Sequence, residues 1–151
     1  MRSTYRTHIR CRGTRDIHSV DYLTAEEYEF AFEYAAQYGE LKKKYKELSF
    51  ASSASPKLDN FGSRSSSPSD MVAMRAIKMA DLSIQIDIIE STAREIVDNE
   101  SIQKALLKSV GYRVAFGDIY PAPPVSKEQF YRYRRRYYYR LSKKINKDQE
   151  R

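Results

Sequence analysis

Residues 125–147 read VSKEQFYRYRRRYYYRLSKKINK. Nine of them are Lys or Arg and one, Glu128, is acidic, a local charge of +8 against +7 for the whole chain. Tyrosines and Phe130 are interleaved with the basic residues. A segment this basic cannot be buried all round, so it must present one side to a core and the other to solvent. A helix does this. Ser126 is placed as its N-cap, with Gln129 at N3 to complete a capping box. Val125 and Phe130 are spaced as a hydrophobic staple. Pro121, Pro123 and Pro124 prevent an earlier start. At helical spacing Phe130, Tyr133, Tyr137, Leu141 and Ile145 share one side, with Tyr138 at its border. Arg132, Arg135, Arg136, Tyr139, Arg140 and Lys143 share the other. That outer side suits phosphates, which guanidinium groups bind bidentately with release of counterions.

The chain of 151 residues, 41% hydrophobic, holds one compact domain with room for an additional lobe. No apolar run spans a bilayer and no signal-peptide pattern is present, so a cytoplasmic protein that does not enter the membrane is expected. Cys11 is the single cysteine, which excludes an internal disulfide or a cysteine-based zinc site. His8 and His18 lack metal-ligand spacing. There is no Gly-rich phosphate loop and no nucleophile beside a histidine, so neither an enzyme nor a cofactor is expected.

Charge is unevenly distributed. Residues 1–15 hold five arginines and no acid, and residues 16–48 hold eight acids against four lysines. The first stretch reads as a basic arm able to track a nucleic-acid backbone. Thr24 and Glu27 form a capping box that opens a helix with Tyr28, Phe32, Ala35, Tyr38, Leu41, Tyr45 and Leu48 on one side. Gly39 weakens its middle. Residues 49–69 are nearly half serine and read as a flexible linker. Order resumes at Ser67, Pro68 and Asp70 with a long helix over 71–96. Its stripe of Ala73, Ile77, Ala80, Ile84 and Ile88 suits long helix packing, within the monomer or across a homodimer seam. Asn99 caps a further helix ending near Gly111, and a short helical segment is expected over 113–120.

The predicted architecture is therefore all-α. An arm and amphipathic helix occupy 1–48, a linker 49–69, and a helical DNA-binding domain 70–147 that ends in a helix-turn-helix. In that geometry the first turn of the last helix faces base edges, which nominates Lys127, Gln129, Tyr131 and Arg132. Arg135, Arg136, Tyr139, Arg140 and Lys143 then lie on phosphates.

Two stretches carry a resemblance: SSPSDMVAMRAIKMADLSIQIDIIE and VSKEQFYRYRRRYYYRLSKKI. Together they resemble phage and prophage late-gene transcription activators of the RinA/ArpU type, whose readers are similar to sigma-factor region 4. Pro68 to Lys78 stands where that family has its Ala-Ile-Lys-like helix start. Ser126, Phe130, Tyr131, Arg134, Arg135, Tyr137, Tyr138 and Leu141 stand in its terminal pattern. The resemblance covers about residues 67–145. It implies double-stranded DNA as partner, with RNA polymerase or another host protein as a second one. Two other uses of a cationic helix stay open: an effector that binds a host protein such as an RNA-guided nuclease, and a DNA-packaging small subunit.

Overall fold

The computed structural model describes residues 23–53 and 68–149. The basic arm, Cys11, His8, His18 and most of the serine-rich stretch lie outside those residues. Among the described residues every regular element is helical, as the all-α reading requires.

Helix α1, Ala25–Ala36, starts at the predicted capping box. Thr24 Oγ1 accepts from the Glu27 amide at 3.2 Å, and Glu27 Oε2 accepts from the Thr24 amide at 3.0 Å. The helix breaks at Gln37, two residues before Gly39, and α2 follows over Tyr38–Ser53. Helix α2 thus extends into the serine-rich stretch that composition assigns to a linker. Its last turn is held from outside: Arg75 Nη1 donates to the Ala51 carbonyl at 3.1 Å, one of the acceptors a helix end leaves unpaired.

Helix α3, Pro68–Ile96, is the backbone of the molecule at 29 residues. Its N-terminal half packs on α2. Its C-terminal half packs on α4, Glu100–Gly111, and on α5, Lys127–Gln149. Asn99 caps α4 as predicted, its side-chain oxygen accepting from the amides of Ser101 and Ile102 at 2.9 and 3.3 Å. Helix α1 lies against α5. One continuous core therefore joins residues on both sides of the serine-rich stretch, from Ala31, Ala35 and Leu41 to Ile89, Leu106, Phe130 and Leu141. The helices at 25–53 are part of this body, not a lobe apart from 70–147.

Helix α4 ends at Gly111 as expected, but the connection from it to α5 differs from expectation. The chain turns at Arg113, which adopts a φ of 57°, while the Lys108 carbonyl accepts from the amides of both Tyr112 and Val114. The segment 113–120 holds a three-residue 3-10 turn, Phe116–Asp118, instead of a short α-helix. Its side chains serve as anchors: Ile119 is buried, the Phe116 ring sits 5.1 Å from that of Phe130, and Lys108 Nζ holds the Tyr120 carbonyl at 2.6 Å. The short helix expected over 113–120 as the first half of the helix-turn-helix does not form, and residues 112–126 instead make one irregular connection between α4 and α5.

Glycine is required where α4 meets the joint between α1 and α2. A Cβ on Gly111 would stand 2.7 Å from the Tyr38 ring, and one on Gly39 would stand 2.9 Å from the Tyr112 ring. Each glycine makes room for the tyrosine beside the other, and the two rings meet edge to face at 5.8 Å.

Candidate nucleic-acid interface

Helix α5 presents the two sides that its sequence predicts. Phe130, Tyr137, Tyr138, Leu141 and Ile145 are buried, and Ser142 with them. Tyr137 Oη donates to the Ile89 carbonyl at 3.2 Å, tying α5 to α3. Tyr138 is covered by Tyr28 and Phe32 of α1, with ring centroids at 5.1 and 6.0 Å. Burial raises the phenol pKa of Tyr137 and of Tyr138 well above the ordinary tyrosine value, so both rings are neutral packing groups. Tyr133 is only half-buried, at the edge of the covered side.

The cations of α5 divide into two sets. Some hold the fold together. Lys144 bonds Glu95 at 2.6 Å and Ser91 Oγ at 2.9 Å. Arg134 Nη1 donates to Ser109 Oγ at 3.3 Å, and its guanidinium lies 4.9 Å from the Tyr131 ring centre. Others point outward. Arg132, Arg135, Arg136, Arg140 and Lys143 are all exposed, and Tyr139 between them is half-buried. Acids of the protein itself reach into this set: Glu128 bonds Arg132 one turn away at 3.0 Å, and Glu27 of α1 bonds Lys143 at 3.4 Å. Arg135 and Arg140 are exposed and hold no ion pair among the described residues.

Glu27 intrudes on this strip for a local reason. The Thr24 amide binds its carboxylate and, together with Lys143, outweighs the opposing effect of partial burial, so its pKa lies below the usual carboxylate value. It is ionised and fixed at the N-terminus of α1, within reach of the middle of α5.

The four base-facing candidates are not brought together. They sit in the first turn and a half of α5, where successive residues point in all directions about the axis. Lys127 and Arg132 are exposed, but on different sides of the helix. Tyr131 is half-buried, its ring edge-on to Phe130 at 6.2 Å. Gln129 is half-buried, and its amide donates to Ser126 Oγ at 3.2 Å, the serine half of the predicted cap. The phosphate candidates do share one side. The strip is thus a one-sided cationic surface, and the base-facing candidates form no cluster at its start.

A second basic feature lies elsewhere. A groove of about 610 Å³ opens between α2, α3 and the end of α4, lined by Lys42, Lys43, Tyr45, Lys46, Ser83 and Tyr112 among others. Lys42 there is bound to Glu90 at 3.0 Å. The Tyr38 hydroxyl also donates to Glu90, at 2.7 Å, and these two donors keep its pKa below the ordinary value although burial opposes them. In the sequence these lysines read as partners of a helix dipole. The signal for a surface patch was their density, four within five residues.

No described helix is long and apolar enough to cross a membrane, and no cluster of metal-binding side chains occurs among the described residues. Comparison with protein-family models, with curated proteins and with solved structures finds no match.

Proposed function

We propose that the protein binds double-stranded DNA through the outer side of α5 and acts as a phage-type transcriptional regulator. The observation that carries this is the pair Arg135 and Arg140, both exposed on the outer side of α5 and neither holding an ion pair among the described residues. Their charge is available to a polyanion, and each phosphate neutralised releases counterions. The resemblance of residues 67–145 to RinA/ArpU-type activators supports the regulatory role. The long connection between α4 and α5 shifts the reading from base recognition toward the DNA backbone.

Gel-shift titration of the purified protein against random-sequence duplex tests the proposal. Binding should weaken steeply with salt. Arg135→Ala with Arg140→Ala should lower affinity on all sequences and reduce the slope of log K against log salt by about 2. Glu27→Gln should raise affinity, because it removes the carboxylate that occupies Lys143. No duplex binding at low salt overturns the reading and leaves the strip to an acidic protein surface.

A further inference from the structure

Helix α3 is apolar on two opposite sides. One faces the body: Ile86, Ile89 and Ala93 are buried, and Leu82 half-buried. The other carries Ala73, Ile77, Ala80 and Ile84 at steps of four, three and four residues, and all four are exposed, Ile77 at 62% and Ile84 at 55%. Met71 and Met74 are exposed as well but lie off this stripe. Helix α2 cannot cover this stripe, because it lies on the inner side, where Arg75 reaches Ala51 and Lys42 reaches Glu90. A helix apolar all round is ordinarily enclosed, and contiguous apolar surface of this kind marks an interface.

We propose that a second copy of the chain packs antiparallel along this stripe. The alternation of small and large residues selects the partner and its direction. An antiparallel pair with its twofold axis between residues 78 and 79 sets Ala73 opposite Ile84 and Ile77 opposite Ala80, so every large side chain meets a small one. A parallel pair would stack Ile on Ile and leave the alanine layers loose. Charge agrees with the antiparallel register. Asp70 and Asp87 come level with each other but on opposite borders of the stripe, and Asp87 is already bonded to Arg94 at 2.9 Å. Asp81 lies level with Ala76 of the other copy, so no aspartate faces another. Arg75 and Lys78 sit on the inner side, so two copies of a chain of net charge +7 meet on a face free of basic residues.

Area sets the strength. The stripe runs about 17 Å at about 1.5 Å per residue, one helix contact, well short of the roughly 800 Å² per partner of a standard interface. The dimer is accordingly weak, of the transient class that small interfaces form. The same register places the two crossings of α5 over α3, at Ile89 and Ser91, about 30–40 Å apart along the paired helices, close to the roughly 34–36 Å repeat of duplex DNA. Only this last correspondence depends on the DNA reading.

Sedimentation velocity on the full chain over a hundredfold concentration range tests the pairing. A monomer–dimer equilibrium is expected, and Ile77→Glu with Ile84→Glu should weaken it by at least about tenfold, since the charges would be buried without partners. A circular dichroism melt unchanged by the double substitution shows that the monomer stays folded, because both positions are exposed in it. In a Cys11→Ser background, oxidising a mixture of the Ile77→Cys and Ala80→Cys variants should yield a cross-linked species that neither forms alone. A monomer at every concentration, a dimer indifferent to Ile77→Glu, or self-cross-linking of Ile77→Cys alone each overturns the proposal. Each result is obtained without DNA, so it separates from the outcome of the gel shifts.

Discussion

The two ends of α3 behave as if they belonged to different proteins. Around its C-terminal half, Ile89, Thr92 and Ala93 are sealed by Phe130, Tyr137, Leu141 and Leu106, and no buried side-chain polar atom there or elsewhere in the described residues lacks a partner. Along its N-terminal half, a single helix packs on one side and Met71, Val72, Met74 and Ile77 stand in solvent, as does Ile84 just past the midpoint. The N-terminal half is the more apolar of the two, with nine apolar residues of fifteen over 68–82 against six of fourteen over 83–96. The difference is how many neighbours the topology supplies: α4 and α5 at one end, α2 alone at the other. Hydrophobicity along a helix states a capacity for burial, and the fold decides where that capacity is used.

Equal truncations at the two ends test this contrast most strongly. Leu141→Ala should cost about 2–5 kcal/mol in urea denaturation, because a fully buried side chain leaves a cavity. Ile84→Ala, at 55% exposure, should change monomer stability by no more than about 0.5 kcal/mol. Comparable losses would show that the outer stripe is covered in the monomer. Next in size is the joint between the ends. Gly111→Ala should cost about 1–3 kcal/mol, because its Cβ meets the buried ring of Tyr38. Gly39→Ala meets the ring of Tyr112, which at 55% exposure is far less enclosed than that of Tyr38, so it should cost less.

The pH dependence sharpens the same contrast. Tyr38, Tyr137 and Tyr138 have folded pKa values above the ordinary 10.0, raised chiefly by burial. A raised value means the folded state holds the proton more tightly. Stability is therefore full below about pH 10 and falls as pH rises beyond it. Glu27 and Glu90 have folded values below the ordinary 4.5, so their contribution is present above that pH and is lost as pH falls through the folded values. Denaturation midpoints measured from pH 3 to 11 should decline at both extremes, and Tyr137→Phe should soften the alkaline decline. A loss smaller than at Leu141 is expected at the cap of α4, where Asn99→Ala should cost about 1 kcal/mol by thermal melt.

The sequence revealed α5 well, because only one of its sides is apolar. Phe130, Tyr137, Leu141 and Ile145 are buried as their spacing predicts. Tyr138 was assigned to the border because nothing local announces that Tyr28 and Phe32, more than a hundred residues away, cover it. The same long-range contact explains why α1 and α2 read as a separate lobe. In α3 the spacing could not choose between two apolar sides, and the stripe of Ala73, Ile77, Ala80 and Ile84, though more regular, is the exposed one. The segment 113–120 misleads for a related reason: Val114, Phe116 and Ile119 look helical at short range, yet each is an anchor for an extended connection. At the candidate site, the outward basic strip followed from spacing. Its partial occupation by Glu27 did not, since the acid comes from another helix.

The paired exchange of glycine and tyrosine between the α1–α2 joint and the end of α4 has a mechanical consequence. Tyr38 cannot leave Gly111 without moving Gly39, and Gly39 cannot move without displacing Tyr112. The two contacts therefore open together, and substitutions at them should combine non-additively in a double-mutant cycle. The clasp thus ties the start of α2 to the end of α4 and holds the α1–α2 joint against the body.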